Sequence, residues 1–180
     1  MIFFVAAVVG NVVRSWCRVS VDWKVEIVEC GEIVQDEDDT VPQDEAERRW
    51  NRYVELVLSV TGDEGPEGVV AIVSSLRAEE DYGAYESAYA ALQRFPLADL
   101  GKGVAWAAEE LTRIPYDPSG IVLVIVARLP AEAAEAFNQE IKSVPGDVRN
   151  RLRDVVDFHE ANDWLAEDGD KGVIKVPREQ

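Results

Sequence analysis

Histidine and cysteine are scarce in this chain, and basic side chains are few beside acidic ones. It has one His, two Cys, and 18 Lys and Arg against 35 Asp and Glu. Each shortage excludes something. With a single imidazole, His159, a nucleophile–base–carboxylate triad has one place only to stand. One His and two Cys also fall short of a structural zinc site. Cys17 and Cys30 do not make a disulfide framework, and their use suits a reducing cytoplasm. The phosphate-binding loop, the dinucleotide glycine fingerprint, the nucleophile elbow and the calcium-binding loop are all missing. Gly101-Lys102-Gly103 has glycines around a lysine without the rest of a phosphate motif, and reads as a flexible helix start. No cofactor or metal is expected, and neither is enzymatic activity.

Net charge is the strongest feature present. At −17, the field of the chain repels nucleic acid and anionic lipid and attracts basic proteins. Solubility or adaptation to salt accounts for the same number equally well. Residues 26–47 carry ten acids and no Lys or Arg, and the run Asp36-Glu37-Asp38-Asp39 reads as a solvated loop. Pairs such as Glu109-Glu110, or Asp157 with Glu160, arise by composition in a chain with 35 acids and take no catalytic role.

The length of 180 residues, 47% of them hydrophobic, suits one domain with a sizeable core. Met1 to Val13 is almost wholly apolar, yet too short to span a bilayer and without basic residues ahead of it. A buried strand or helix is its first reading, with a misassigned start and then a secretion signal behind it. Val19 to Val28 alternates: Val19, Val21, Trp23, Val25 and Ile27 share one face, which predicts a half-buried strand. Glu32-Ile33-Val34 is placed as a return strand. Residues 1–43 are thus expected to form a strand-containing segment with an acidic loop, and residues 44–180 a helical domain.

From Asp44 the period becomes 3.6. Trp50, Tyr53, Val54, Val57 and Leu58 define one helical face, and Gly62 is placed just past that helix. Val69, Ile72, Val73 and Leu76 define the next. Tyr82, Tyr85, Tyr89 and Leu92 follow with Asp81 as a cap, then Leu97, Leu100, Val104, Ala108 and Leu111. The run Ile121–Val126 has strand-like composition, but its helical neighbours favour a buried helix. Ala134, Phe137, Ile141 and Val144 turn inward on one further helix, and Val148, Leu152, Val155, Val156 and Leu165 on the last. His159 falls on that inward face, as a hydrogen-bonded core residue. Gly172–Val176 is expected to close the chain as a short strand.

The fold class is therefore mainly α. Short antiparallel pairs, 64–77 with 81–94, 98–113 with 117–128 and 130–143 with 146–166, would form an α-solenoid or an irregular bundle, with short strands near both termini. Glu79, Glu80, Asp81, Tyr82, Tyr85 and Glu86 are the candidate partner-binding residues. They form a tyrosine stripe edged by acids, suited to a basic protein. Ordinary packing is the competing role for the tyrosines, and for Tyr89 the leading one.

The stretch Glu79-Glu80-Asp81-Tyr82 through Arg94-Phe95-Pro96, followed by Val104-Ala105-Trp106-Ala107 and Leu111-Thr112-Arg113-Ile114, resembles the HEAT-like helical immunity proteins of bacterial polymorphic toxin and contact-dependent inhibition systems. The likeness spans about residues 64–128. Pro115-Tyr116 departs from it where an Asn is expected after the Arg-Ile pair. It implies a cytoplasmic antidote that binds one toxin domain, among which basic nucleases would suit the charge. A helical-repeat adaptor without a toxin partner is the alternative.

Overall fold

The computed structural model describes residues 22–128, 130–165 and 172–178. Asp22 opens the first element. Its carboxylate accepts a hydrogen bond from the Lys24 N–H at 3.1 Å and caps helix α1, Trp23–Cys30. This overturns the strand expected over Val19–Val28, of which Val19–Val21 lie outside the described residues. Trp23, Ile27 and Cys30, at i, i+4 and i+7, pack inward, while Val25 is half exposed. The β-branched residues that suggested a strand disfavour helix only slightly, and burial against neighbouring helices outweighs that preference. The return strand at Glu32–Val34 is absent too. No strand occurs among the described residues, and Ile33 is simply anchored in the core from an irregular loop.

The remaining helices are α2 (Gln43–Leu58), α3 (Gly65–Ser74), α4 (Tyr85–Leu92), α5 (Leu97–Trp106), α6 (Ala108–Leu111), α7 (Tyr116–Arg128), α8 (Ala131–Glu140) and α9 (Gly146–Ala161). Prolines mark the starts. Pro42, Pro96, Pro130 and Pro145 each hold the N-cap of a helix with ψ between 138° and 146°. A fixed φ and a missing N–H cost nothing there. Ile121–Val126 lies within α7 and is helical. On α2 it is Leu56 rather than Leu58 that is buried, and Leu58 is exposed. The helix also ends before Gly62, at the C-cap Ser59. Gly62 instead has φ 99° in the following loop, where a Cβ would lie 2.4 Å from the Arg94 carbonyl oxygen.

The helices stack in two rows. α1, α3, α5 and α8 contact one another in succession, and so do α2, α4, α7 and α9. Contacts of α1 with α2, α3 with α4, and α5 and α8 with α7 join the rows. This packing is consistent with two of the pairs expected from the sequence, α3 with α4 and α5 with α7, and α1–α2 adds one in front of them; in the third, α8 and α9 each pack on α7 instead of on one another. In the first row α5 lies between α3 and α8, and Gly101 and Gly103 are what admit it. Two residues apart on a helix, they face opposite sides. A Cβ at Gly101 would be 2.0 Å from the Ala133 carbonyl oxygen, and one at Gly103 would be 2.5 Å from Val69 Cβ. These glycines therefore set close helix contacts in the middle of α5, not a flexible start.

The chain end straps the last helices. Residues 172–178 are irregular rather than the strand expected at Gly172–Val176, although the alternation holds: Ile174 and Val176 are buried, Val173 and Lys175 exposed. In place of a neighbouring strand, the side chain of Asn138 on α8 meets the backbone. Its Nδ2 donates to the Val173 carbonyl at 2.7 Å, and its Oδ1 accepts from the Lys175 N–H at 2.6 Å.

Candidate functional site

The loop between α3 and α4 carries the predicted partner-binding residues, and a second loop joins it. Gln35 is the clasp. Its Nε2 donates to the Glu80 carbonyl at 3.0 Å while its Oε1 accepts from the Glu80 N–H at 3.1 Å. One residue on, the Asp36 N–H donates to the Tyr82 hydroxyl at 3.0 Å. The two acidic runs, Asp36–Asp39 and Glu79–Asp81, separated by some forty residues of sequence, thus become one edge. No signal in the sequence paired Gln35 with Glu80, because an amide side chain can satisfy any loop backbone.

The tyrosines divide. Tyr82 has φ 48° and precedes α4, so no helical stripe runs through it. It is 45% exposed. The Asp36 N–H favours its phenolate, but desolvation and the Asp36 and Glu37 charges outweigh this and hold the hydroxyl above its usual value. Tyr85 is buried, which removes it from any partner surface. Its hydroxyl accepts from the Ala78 N–H at 2.8 Å and donates to the Gly31 carbonyl at 2.8 Å. Burial pushes this hydroxyl up to about 12. Its ring meets Tyr53 edge-on at 5.7 Å, and the Tyr53 hydroxyl meets Ser75 Oγ at 3.0 Å. Tyr85 is therefore a clamp where α1, α3 and α4 converge. Burial first, then the charges of Asp81 and its acidic neighbours, raise the half-buried Tyr89.

Asp81 does act as a cap: its carboxylate accepts from the Gly83 N–H at 3.1 Å and the Tyr85 N–H at 2.9 Å. Glu79, Glu80 and Glu86 are exposed. Across the joined loops, the Thr40 hydroxyl and N–H hold the Asp38 carboxyl below its usual range. Among the described residues, none of Asp36–Asp39, Glu79–Asp81 or Glu86 makes an ion pair. Arg49, the closest cation to influence Asp38, is itself paired to Glu45 at 2.7 Å. The edge consequently presents uncompensated negative charge on a backbone fixed by hydrogen bonds.

His159 is buried as expected, but neither ring nitrogen has a hydrogen-bond partner of normal geometry. Burial holds the imidazole below its usual value, against the Tyr116 carbonyl and the Asp117 charge. It packs so closely on α7 that a Cβ at Gly120 would lie 2.3 Å from its Cε1. Among the described residues, no serine or cysteine is hydrogen-bonded to it. A cleft of about 340 Å³ lies alongside, lined by Ile121, Val124, Arg128, Asp163 and Trp164. Among the described residues, no group of three His, Cys, Asp or Glu is placed to hold a metal ion, and no helix is long and apolar enough to cross a membrane.

These features describe an all-helical stack of short pairs with a fixed acidic edge. Compared with known families, curated proteins and solved structures, the chain has no match.

Proposed function

We propose that this protein is a non-catalytic binder of a basic protein, and that its partner is a bacterial toxin domain which it neutralises as an immunity-type protein in the cytoplasm. The observation that supports the reading is the joined acidic edge: Glu79, Glu80, Tyr82 and Glu86 beside Asp36–Asp39, locked by Gln35 and, among the described residues, without ion pairs. Unpaired exposed acids accelerate association with a cationic surface, and an exposed tyrosine among them contributes contact area. A locked backbone reduces the ordering cost of binding. The toxin assignment draws on the likeness over residues 64–128 and on charge complementarity with a basic nuclease. An adaptor role in a larger assembly is the second reading, supported by the two-row stack of helix pairs.

The test asks whether a gene for a basic toxin domain adjoins this one and, with the chain and that domain produced together, follows growth and binding kinetics. Survival of the toxin-producing cells and a soluble complex are expected. Glu79→Lys with Glu80→Lys should slow association, and the effect should shrink as salt rises. Tyr82→Ala should raise the dissociation rate. A chain that gives no protection and forms no complex with that domain would remove the immunity reading. Intact kinetics in both variants would remove the edge as the docking site.

A further inference from the structure

The first turn of α7 and the last turn of α9 meet in a group of four rings. Tyr116 and Phe158 have centroids 4.7 Å apart, Phe158 and His159 5.2 Å, and His159 and Trp164 5.2 Å. His159 forms the buried floor. Tyr116, Phe158 and Trp164 stand above it, 55%, 46% and 38% exposed. Tyr116 and Phe158 adjoin each other, and Trp164 is joined to them across His159. Large rings in solvent do nothing for the solubility of the chain, whereas aromatic centres inside polar rims characterise protein interfaces.

The rim is acidic. Asp117 and Asp163 are exposed and make no ion pair among the described residues. Asp163 has φ 63°, in the left-handed region, and occupies the C′ position of α9. There its N–H donates to the Glu160 carbonyl at 3.2 Å, and the Trp164 N–H donates to the His159 carbonyl at 3.0 Å. That reversal is the Schellman closure, which folds Trp164 back beside His159 and which glycine serves with least strain. An aspartate at this position adds backbone cost and places a carboxylate beside the rings.

We propose that the Tyr116–Phe158–Trp164 face is a second docking surface, and that it receives arginine side chains of a basic protein segment. A guanidinium stacks flat on aromatic rings and offers paired donors to carboxylates, which an ammonium cannot match. The other occupants fit worse. A second copy of this chain, itself at −17, would bring acids against Asp117 and Asp163. An apolar partner would strip water from those carboxylates without replacing it. The face shares no residue with the Glu79–Glu86 edge, although Asp117 and Glu86 both act on Tyr89, and it stands whether or not that edge binds.

The experiment titrates the full chain with two short Gly/Ser peptides of equal length and charge, one carrying arginines and the other lysines at the same positions. Calorimetry near physiological salt gives the affinities, and circular dichroism checks the fold of each variant. The arginine peptide should bind roughly two- to fivefold more tightly. That preference should disappear in Phe158→Ser and in Tyr116→Ser, and persist in the Glu79→Lys, Glu80→Lys double variant. Asp163→Gly should raise the melting temperature while weakening arginine-peptide binding, a combination that a purely structural aspartate would not give. Equal affinity for the two peptides overturns the proposal, as does an arginine preference that survives both aromatic substitutions.

Discussion

At α9 the carboxylates have cationic partners, while among the described residues those in the loops that precede α2 and α4 have only neutral ones or none. Arg153 bridges Asp157 and Glu160, Arg151 reaches Asp147, and Arg178 in the tail pairs with both Asp154 and Asp157. Burial pushes the Asp157 carboxyl up, but these two guanidiniums pull it further down, so it stays below the usual carboxylate range. Along the Gln35–Tyr82 edge the acids face solvent and one another, and neutral groups do the holding: an amide clasp and the buried Tyr85 hydroxyl. The two regions show that net charge says little until the cations are located. At one end the acids fasten a tail; at the other they leave an uncompensated field facing solvent.

The contrast can be broken first through packing. Gly120→Ala drives a Cβ against the His159 ring and should destabilise the α7–α9 end by about 1–3 kcal/mol in denaturant unfolding. Adding His159→Ala should recover part of that loss by making room, whereas additive losses would mean that the two positions do not share the contact. At the acidic edge the matching test is Tyr85→Phe. It strands the Ala78 N–H in the core, while the Gly31 carbonyl keeps the Ile33 N–H, and should cost about 1–3 kcal/mol.

A smaller effect separates the ends by pH. The folded-state value of His159 lies below the unfolded reference of 6.5, so the unfolded chain binds the proton more readily. Stability from this group is complete above pH 6.5 and falls as acidification approaches its folded value. Melting temperatures measured downward from pH 7, above the carboxylate range, should fall in the parent and fall less in His159→Gln. An identical pH slope in both proteins would acquit the imidazole.

The smallest effects sharpen the comparison by sign. At low salt Glu37→Lys or Glu79→Lys should leave stability unchanged or raise it slightly, because repulsion within the edge is relieved. Asp157→Lys should lower it, because Arg153 and Arg178 each lose one of their two partners. If both ends respond with the same sign in thermal unfolding, the distinction drawn between them fails.

Much of the scaffold was legible because long amphipathic segments carry their own period. Val69, Ile72, Val73 and Leu76 are fully buried as the 3.6 spacing requires, and α7 is helical despite six consecutive apolar residues. Where the period was short, it misled. Eight residues of α1 satisfy alternation and helical spacing together, and only packing on α2 and α3 decides between them. The candidate site was legible in composition and not in geometry. Glu79, Glu80 and Glu86 are exposed as expected, but Tyr85 turns inward because its hydroxyl finds partners contributed by distant parts of the chain. The Tyr116–Phe158–Trp164 face went unnoticed for the same reason: its members lie far apart in sequence, and each looks like an ordinary helix or loop residue by itself.

The Gln35–Glu80 clasp has a consequence for how a partner would meet the molecule. Two loops that moved independently would be two weak ligands on a flexible tether. With the amide pairing and the Asp36–Tyr82 contact in place, they are a bivalent ligand with its arms set at a fixed spacing. Once a partner touches either loop, the other is already at its side, and the second contact forms as an intramolecular step at high effective concentration. Gln35→Ala removes no charge and no exposed ring, yet it would turn that single multivalent encounter into two separate ones.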